Sequence, residues 1–254
     1  MTRGEHAILA IKPASEALCV GHVEIYPVRH VSSLLQADEE ALIEIDRFRK
    51  CLRYLYGQEG KTILCTETAV KFDRRPHAVL DVVPIGQDME GEARMFFQEA
   101  FLNCDEEWAQ HKKVIELTEE RPVARAIPKN LQYLVAEWEG DEEDLEDDEG
   151  QYKKAGRRRL VRYGGICHPV ESDKDIGAHF CIEVVKGLLE NSEEDVDWTP
   201  AHHRDNEYTS QVGVGMSSGG SGYGGGSGGS GGSDFANVAS FKRKWAPYDW
   251  TRYA

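Results

Sequence analysis

The sequence predicts an α+β fold, in which an antiparallel sheet with helices is followed by a second small α+β domain. In the first half, β-rich and helical segments occur in the order strand, helix, strand, strand, helix, which favours antiparallel pairing. A smaller pattern of strand, strand and helix follows in the second half. We therefore predict one unit over residues 1–125 and another over residues 126–254.

The first unit contains one segment with clear helical periodicity. Asp38 suits the N-cap of this helix, since its carboxylate can accept a backbone N–H, and Gly57 or Gly60 would end it. Its apolar residues recur every three or four positions and predict one buried stripe: Leu42, Ile45, Phe48, Leu52 and Leu55. Further helices are predicted over residues 92–102 and 105–117. The predicted strands are His22 to Tyr26, Lys61 to Thr68, and His77 to Val83, the last ended by Pro84.

The second unit is interrupted by two polar segments. Strands are predicted from Leu131 to Trp138 and from Arg159 to His168, with an acidic and then basic loop at 139–158 between them. An amphipathic helix is predicted over 175–189. A Gly/Ser linker at 213–233 follows, and we expect the aromatic C-terminal segment beyond it to fold back onto the body.

Composition excludes several classes of protein. The formal net charge is −15, but nine acidic residues lie between Glu139 and Glu149, so this one run dominates the charge. The chain has no apolar run long enough to span a membrane. Its six cysteines form no CxxC pair, which argues against a structural zinc site. We predict no metal ion, no cofactor and no membrane partner.

Two segments carry the main functional signal. They are GHVEIYPVRH, from Gly21 to His30, and PHAVLDVVP, from Pro76 to Pro84. Both resemble the histidine-triad (HIT) superfamily of nucleotide hydrolases and transferases. The resemblance implies a HIT-like sheet in the first unit, with His22 and His30 on the upstream strand and turn.

The triad itself is incomplete. His77 matches its first position, but Val79 stands where the resemblance places the nucleophilic histidine, and Asp81 stands at the third position. A valine has no lone pair to form a nucleotidyl intermediate, and an aspartate repels phosphate unless a cation offsets it. We therefore predict no catalytic residue.

Further segments extend the resemblance over most of the chain. FDRRPHAVLDVVP, NCDEEWAQHKK, AIPKNLQYLVAEW and FKRKWAPYDWT occur in this order and are similar to the CwfJ family of spliceosome-associated proteins. That family has a HIT-like domain followed by a second C-terminal domain. The resemblance implies a nuclear role in pre-mRNA splicing, with intron-lariat RNA, spliceosome components and the lariat debranching enzyme as partners.

Basic residues next to the incomplete triad suggest how RNA would be held. Lys71, Arg74 and Arg75 precede His77 in a predicted loop at the pocket mouth, and guanidinium groups suit phosphate geometry. We predict RNA contact through these four residues and His30. A nucleotide or phosphodiester hydrolase of the HIT superfamily is one alternative. A protein scaffold with a vestigial pocket is the other.

Overall fold

The computed structural model describes residues 1–104, 112–141, 161–192 and 231–252, and these residues contain one antiparallel sheet. Its eight strands are β1 (Thr2–Arg3), β2 (Ala7–Ile11), β3 (Val23–Pro27), β4 (Lys61–Ala69), β5 (Leu80–Gly86), β6 (Ile115–Leu117), β7 (Gln132–Asp141) and β8 (Val161–Val170). They are ordered β1-β2-β3-β5-β4-β7-β8-β6, and all neighbouring strands pair antiparallel. The predicted fold class, α+β with an antiparallel sheet, is confirmed.

Helices cover both faces of the sheet. They are α1 (Glu39–Gly57), α2 (Glu90–Asn103), α3 (Val123–Ala126), α4 (Phe180–Asn191) and α5 (Gly231–Trp245). Because side chains alternate along a strand, consecutive residues of β5 enter different cores. Val82 packs in the core with α1 and Trp245, whereas Val83 packs in the core with α2 and α4. None of the helices in the described part of the chain is long and apolar enough to cross a membrane.

The predicted first helix is confirmed, including its start. The Asp38 carboxylate accepts a hydrogen bond from the Ala41 N–H at 3.3 Å, and two glutamates occupy the first turn. Four members of the predicted stripe are buried: Ile45, Phe48, Leu52 and Leu55. Leu42 was wrongly included, because its side chain lies at the margin of the buried face and is 39% exposed.

The strand predicted from His77 to Val83 begins and ends later. β5 starts at Leu80 and continues through Pro84 to Gly86. Proline is tolerated at this position because β3 pairs only with Leu80 to Val82, so no ladder bond from β3 needs the missing N–H. His77 consequently lies ahead of the strand, in the segment that enters the sheet.

Two further predictions need correction, and two strands were missed. The helix predicted over 105–117 is wrong at its end, since Ile115–Leu117 alternates buried, exposed, buried and forms β6 against β8; residues 105–111 lie outside the described residues. The helix predicted from Asp175 begins only at Phe180, after turns closed by backbone bonds to Asp173 and Gly177. The strands β1 and β2 were not predicted.

One sheet contains strands from both sides of position 125. β4 pairs with β7 over seven residue pairs, from Ile63–Glu139 to Ala69–Tyr133, and the division into 1–125 and 126–254 stays a prediction. The predicted loop at 139–158 is shorter at its start, since β7 extends to Asp141, and the rest lies outside the described residues. The linker predicted at 213–233 is likewise shorter, because Gly231–Ser233 begin α5.

The C-terminal segment packs against the body, as predicted. Trp245 is 2% exposed and lies in the α1 core, where its ring centroid is 6.1 Å from that of Phe48. The indole Nε1–H donates to Thr2 Oγ1 at 3.1 Å, and Arg47 lies 4.0 Å over the Trp250 ring. The segment after residue 230 is therefore part of the folded structure.

Candidate nucleic-acid interface

The residues predicted to contact RNA lie on loops at one end of the sheet. β3 and β4 finish at this end, whereas β5 and β7 begin there. The Ala78 N–H donates to the Val31 carbonyl oxygen at 2.8 Å and joins the loop after β3 to the segment before β5. Glu139 and Asp141, where the acidic run begins, lie at the other end of β7. The basic loop and the start of the acidic run are thus separated by the length of a strand.

The loop after β4 has an unusual backbone conformation. Lys71 and Arg75 have φ angles of 57° and 50°, and they flank a 3-10 turn at Phe72–Arg74. Positive φ is costly for residues with a side chain, so such a loop is held by its surroundings. Here the Lys71 N–H donates to Gln132 and to Asp173. The side chains of Arg74, in the turn, and Arg75, after it, are both exposed.

Two histidines support this loop from the side. His30 Nε2–H donates to the Arg75 carbonyl oxygen at 3.2 Å, and His77 Nε2–H donates to the Pro27 carbonyl oxygen at 2.8 Å. Their ring centroids are 5.0 Å apart in an edge-to-face arrangement. Both imidazoles are exposed. The structure therefore brings His30, Arg75 and His77 together; we define the basic loop surface as these three residues with Lys71 and Arg74.

Asp81 belongs to a separate group of side chains. The Asp81 cluster comprises Lys12, His22, Glu24 and Asp81. Asp81 Oδ1 accepts from His22 Nε2 at 3.0 Å and from Lys12 Nζ at 3.1 Å, and Lys12 Nζ also donates to Glu24 Oε1 at 2.5 Å. His22 is fully buried, and the Lys12 side chain is 9% exposed. Lys12 is thus the cation that offsets the charge of Asp81.

The hydrogen bonds of His22 define its chemical state. Its Nδ1 accepts the Leu18 N–H at 3.2 Å and therefore carries no proton. Its Nε2 lies 3.0 Å from the Asp81 carboxylate, which can only accept, so Nε2 carries the proton. Both nitrogens of this imidazole are engaged within the protein. A lone pair for attack on phosphorus or for proton abstraction is consequently not free in this arrangement.

The charges of the Asp81 cluster stabilise one another. Burial on its own would raise the pKa of Asp81, but the His22 hydrogen bond and the Lys12 charge lower it below its ordinary value. Burial would lower the pKa of Lys12, yet Asp81 and Glu24 raise it above its ordinary value. Both groups therefore stay ionised at neutral pH. The cluster is an internal ion-pair network that leaves no excess positive charge for a phosphate.

Sequence reasoning missed Lys12 and Glu24. Lys12 follows β2, which was not predicted, although the run from Ala7 to Ile11 is almost wholly apolar and would have been a usable signal. Glu24 alternates with buried residues on β3, so its strand position was visible, but its partners come from distant segments. His22, which the resemblance placed on the upstream strand, is fully buried just before β3.

A buried glutamate holds the loop that carries His30. The Glu67 carboxylate, 4% exposed, accepts from the Leu34 N–H at 2.8 Å and from the Tyr133 hydroxyl at 2.5 Å. Burial raises the pKa of Glu67 to about 7, although both hydrogen bonds pull in the opposite direction, and the Glu137 carboxylate adds to the rise. The native protein therefore binds the carboxyl proton of Glu67 more tightly than the unfolded chain does.

We expect Glu67→Gln to remove part of the pH dependence of stability. Since the folded pKa lies above the ordinary 4.5, Glu67 makes the free energy of unfolding fall as pH rises from about 4.5 to 7. Glutamine mimics the protonated acid at every pH. Between pH 4.5 and pH 8, the free energy of unfolding of the variant should therefore rise by about 2–4 kcal/mol relative to that of the wild type. Urea titrations at the two pH values measure this change. A stability difference that does not change with pH would contradict this assignment.

Comparison with known sequences identifies the class of protein to which this fold belongs. Residues 4–98 match the family model "Protein similar to CwfJ C-terminal", and residues 107–213 match "Protein similar to CwfJ C-terminus 2". The two models follow one another along the chain in the order that the motifs predicted. The chain belongs to the CwfJ family.

Individual relatives agree with this assignment. "CWF19-like protein 2" of Danio rerio is 26% identical over 193 residues, which are 73% of this chain and 18% of that protein. A homologue of Caenorhabditis elegans is 24% identical over 231 residues, 91% of this chain and 39% of its own length. "Pre-mRNA-splicing factor cwf19" of Schizosaccharomyces pombe is 29% identical over 114 residues, 45% of this chain and 18% of its own length. The chain thus spans less than two fifths of each of these relatives.

Proposed function

We propose that this chain is a non-catalytic, RNA-binding part of a pre-mRNA splicing factor. It binds phosphates of the intron lariat through the basic loop surface and takes part in lariat turnover. Its partners are spliceosome components and the lariat debranching enzyme, and it acts in the nucleus. Membership of the CwfJ family and the splicing-factor name of the Schizosaccharomyces pombe relative support this proposal.

One observation carries the proposal. Lys71 and Arg75 hold positive φ angles on either side of a turn whose arginines are exposed. Strained backbone of this kind persists where the surroundings enforce it, and it is concentrated at binding sites. The loop from residue 71 to 75 has three basic side chains and one acidic one, so it attracts phosphate. Exposed guanidinium groups can then bind phosphate oxygens in pairs.

The residues at the three triad positions of a HIT-like site support the non-catalytic part of this proposal. Val79 cannot act as a nucleophile. Asp81 is neutralised by Lys12 instead of facing substrate, and His22 has both ring nitrogens engaged. His77 is exposed and its Nε2–H donates to the Pro27 carbonyl oxygen, which leaves Nδ1 to accept a hydrogen bond from an RNA hydroxyl. The site can therefore hold a phosphate without cleaving its ester bond.

We expect Arg74→Ala combined with Arg75→Ala to weaken RNA binding about tenfold at 50 mM salt, because two phosphate contacts are lost. For single-stranded RNA, the slope of log K against log salt should fall by about 1.4. Fluorescence anisotropy with labelled linear and branched oligonucleotides measures both quantities. The matched control is Lys242→Ala with Arg243→Ala, which removes two exposed charges from α5.

Two outcomes would contradict the proposal. If the control pair weakens binding as much as the loop pair, the effect belongs to net charge and not to the basic loop surface. If purified protein turns over adenylated or branched RNA and His77→Ala abolishes this turnover, the chain is a hydrolase. Undetectable RNA binding at low salt would favour the scaffold alternative.

A further inference from the structure

A second concave site lies far from the basic loop surface. It is a cleft of about 340 Å³ between the first turns of α2 and the outer strands β7, β8 and β6. Its walls are formed by Glu90 and Arg94 of α2, Glu116 of β6, Trp138 of β7, and the adjacent Gly164 and Gly165 of β8. The cleft thus combines an aromatic side chain with carboxylates.

The two glycines of β8 shape this cleft. A Cβ atom on Gly164 would lie 2.3 Å from the Trp138 Nε1, so the indole occupies the space that a side chain would fill. A Cβ atom on Gly165 would approach the Ala136 carbonyl oxygen to 3.0 Å. Glycine at both positions lets the Trp138 ring lie against the strand beside an open volume. The indole is partly exposed to that volume.

The electrostatic character of the cleft is negative. Two of its charged side chains are carboxylates and one is a guanidinium, which pairs with Glu116. The Glu116 side chain is 65% exposed, so it retains acceptor capacity on the solvent side. A phosphate is repelled here, whereas a cation is attracted both by the carboxylates and by the indole face.

We propose that this cleft binds an arginine side chain from a basic peptide segment of a partner protein. The planar guanidinium stacks on the Trp138 indole, and the Glu116 carboxylate accepts its N–H groups. Glu90 adds negative charge on the α2 side of the cleft. This protein-binding site does not depend on the proposed RNA contact at the opposite end of the sheet.

The test uses the full chain and a fluorescein-labelled tetra-arginine peptide. Replacement of Glu116 by Lys should weaken binding about tenfold, because an attractive charge becomes a repulsive one. Glu119→Lys is the matched control, since it makes the same change at an exposed residue outside the cleft. Equal losses in the two variants would overturn the proposal, because they would show general attraction to an acidic protein.

Two variants of unchanged charge test the aromatic contact. Gly164→Ala displaces the indole, and Trp138→Phe keeps an aromatic ring with a weaker attraction for cations. Each should reduce peptide affinity about three- to tenfold, and the Phe variant needs no new space if the Ala variant fails to fold. Unchanged affinity in Trp138→Phe would mean that the acidic run alone binds the peptide, and the cleft proposal would be wrong.

The same variants separate a peptide site from an RNA site. Oligouridylate binding should be unaffected by Glu116→Lys and Trp138→Phe, whereas Arg74→Ala with Arg75→Ala should leave peptide binding unchanged. Loss of RNA binding in Trp138→Phe would instead identify the indole as a base-stacking platform and overturn the peptide proposal. Failure of the loop variants to affect RNA would count against the proposed function alone.

Discussion

Replacing Arg49 by Met is expected to destabilise the protein by about 3–5 kcal/mol, because it removes the cation that contacts both carboxylates of a buried ion-pair network. Arg49 Nη1 lies 3.1 Å from Glu137 Oε2, and Nη2 pairs with Glu139. The carboxylates are only 10% and 12% exposed. Arg53, 3.6 Å from Glu139, would remain as a cation in contact with the pair. Urea titration monitored by circular dichroism measures the loss.

Two matched variants separate charge from packing. Lys50→Met removes an exposed pair with Asp46 from the same helix, and it should cost less than about 0.5 kcal/mol. Adding Glu137→Gln to Arg49→Met should recover part of the lost stability, because one unpaired buried carboxylate disappears. If Arg49→Met costs no more than Lys50→Met, the network contributes little to stability. The network joins α1 to β7 and thus connects the two predicted units.

The second large effect is expected for Trp245→Ala. Its side chain is 2% exposed and packs against Phe48 and Phe241, so truncation should weaken docking of the C-terminal segment by about 3–5 kcal/mol. The hydrogen bond from the indole to Thr2 Oγ1 is lost as well. Hydrogen exchange of the amides in residues 237–252 should accelerate strongly, while exchange in the central strands β4 and β5 changes less.

The control for this variant is Lys242→Ala, which alters an exposed residue of the same helix. Its exchange rates over residues 237–252 should match those of the wild type. Trypsin cleavage after Lys242 or Arg243 should also be faster in Trp245→Ala, because the detached helix becomes accessible to the protease. If hydrogen exchange over residues 237–252 is as slow in Trp245→Ala as in the control, the C-terminal segment is held by other contacts.

Local sequence signals were enough to predict most of the elements. The Asp38 cap and the stripe from Ile45 to Leu55 depend on residues within a few turns, and these formed as predicted. The strands β7 and β8 were also predicted, each within three residues of its bounds. The predicted boundaries were wrong where pairing with a distant strand decides them: Pro84 lies inside β5 because β3 begins only at Val23, opposite Val82.

In the candidate site, too, the sequence predicted the residue types, whereas long-range contacts decided their geometry. The placement of Val79 at the nucleophile position of a HIT-like site stays a prediction from the sequence, and a valine lacks a lone pair in any fold. The sequence also showed the basic residues of the loop from 71 to 75 and the likeness to the CwfJ family. The positive φ angles of Lys71 and Arg75 were not visible, because Gln132 and Asp173 enforce the first of them from other segments.

By itself, the sequence determined the α+β class, the basic character of the loop before His77 and the family. Only the tertiary structure decided that Lys12 neutralises Asp81, that His22 is engaged at both nitrogens, and that Trp138 lies beside an acidic cleft. The physical reason is distance along the chain. Composition and periodicity report what a residue can do, whereas hydrogen bonds and ion pairs between residues tens of positions apart depend on how the strands are ordered in the sheet.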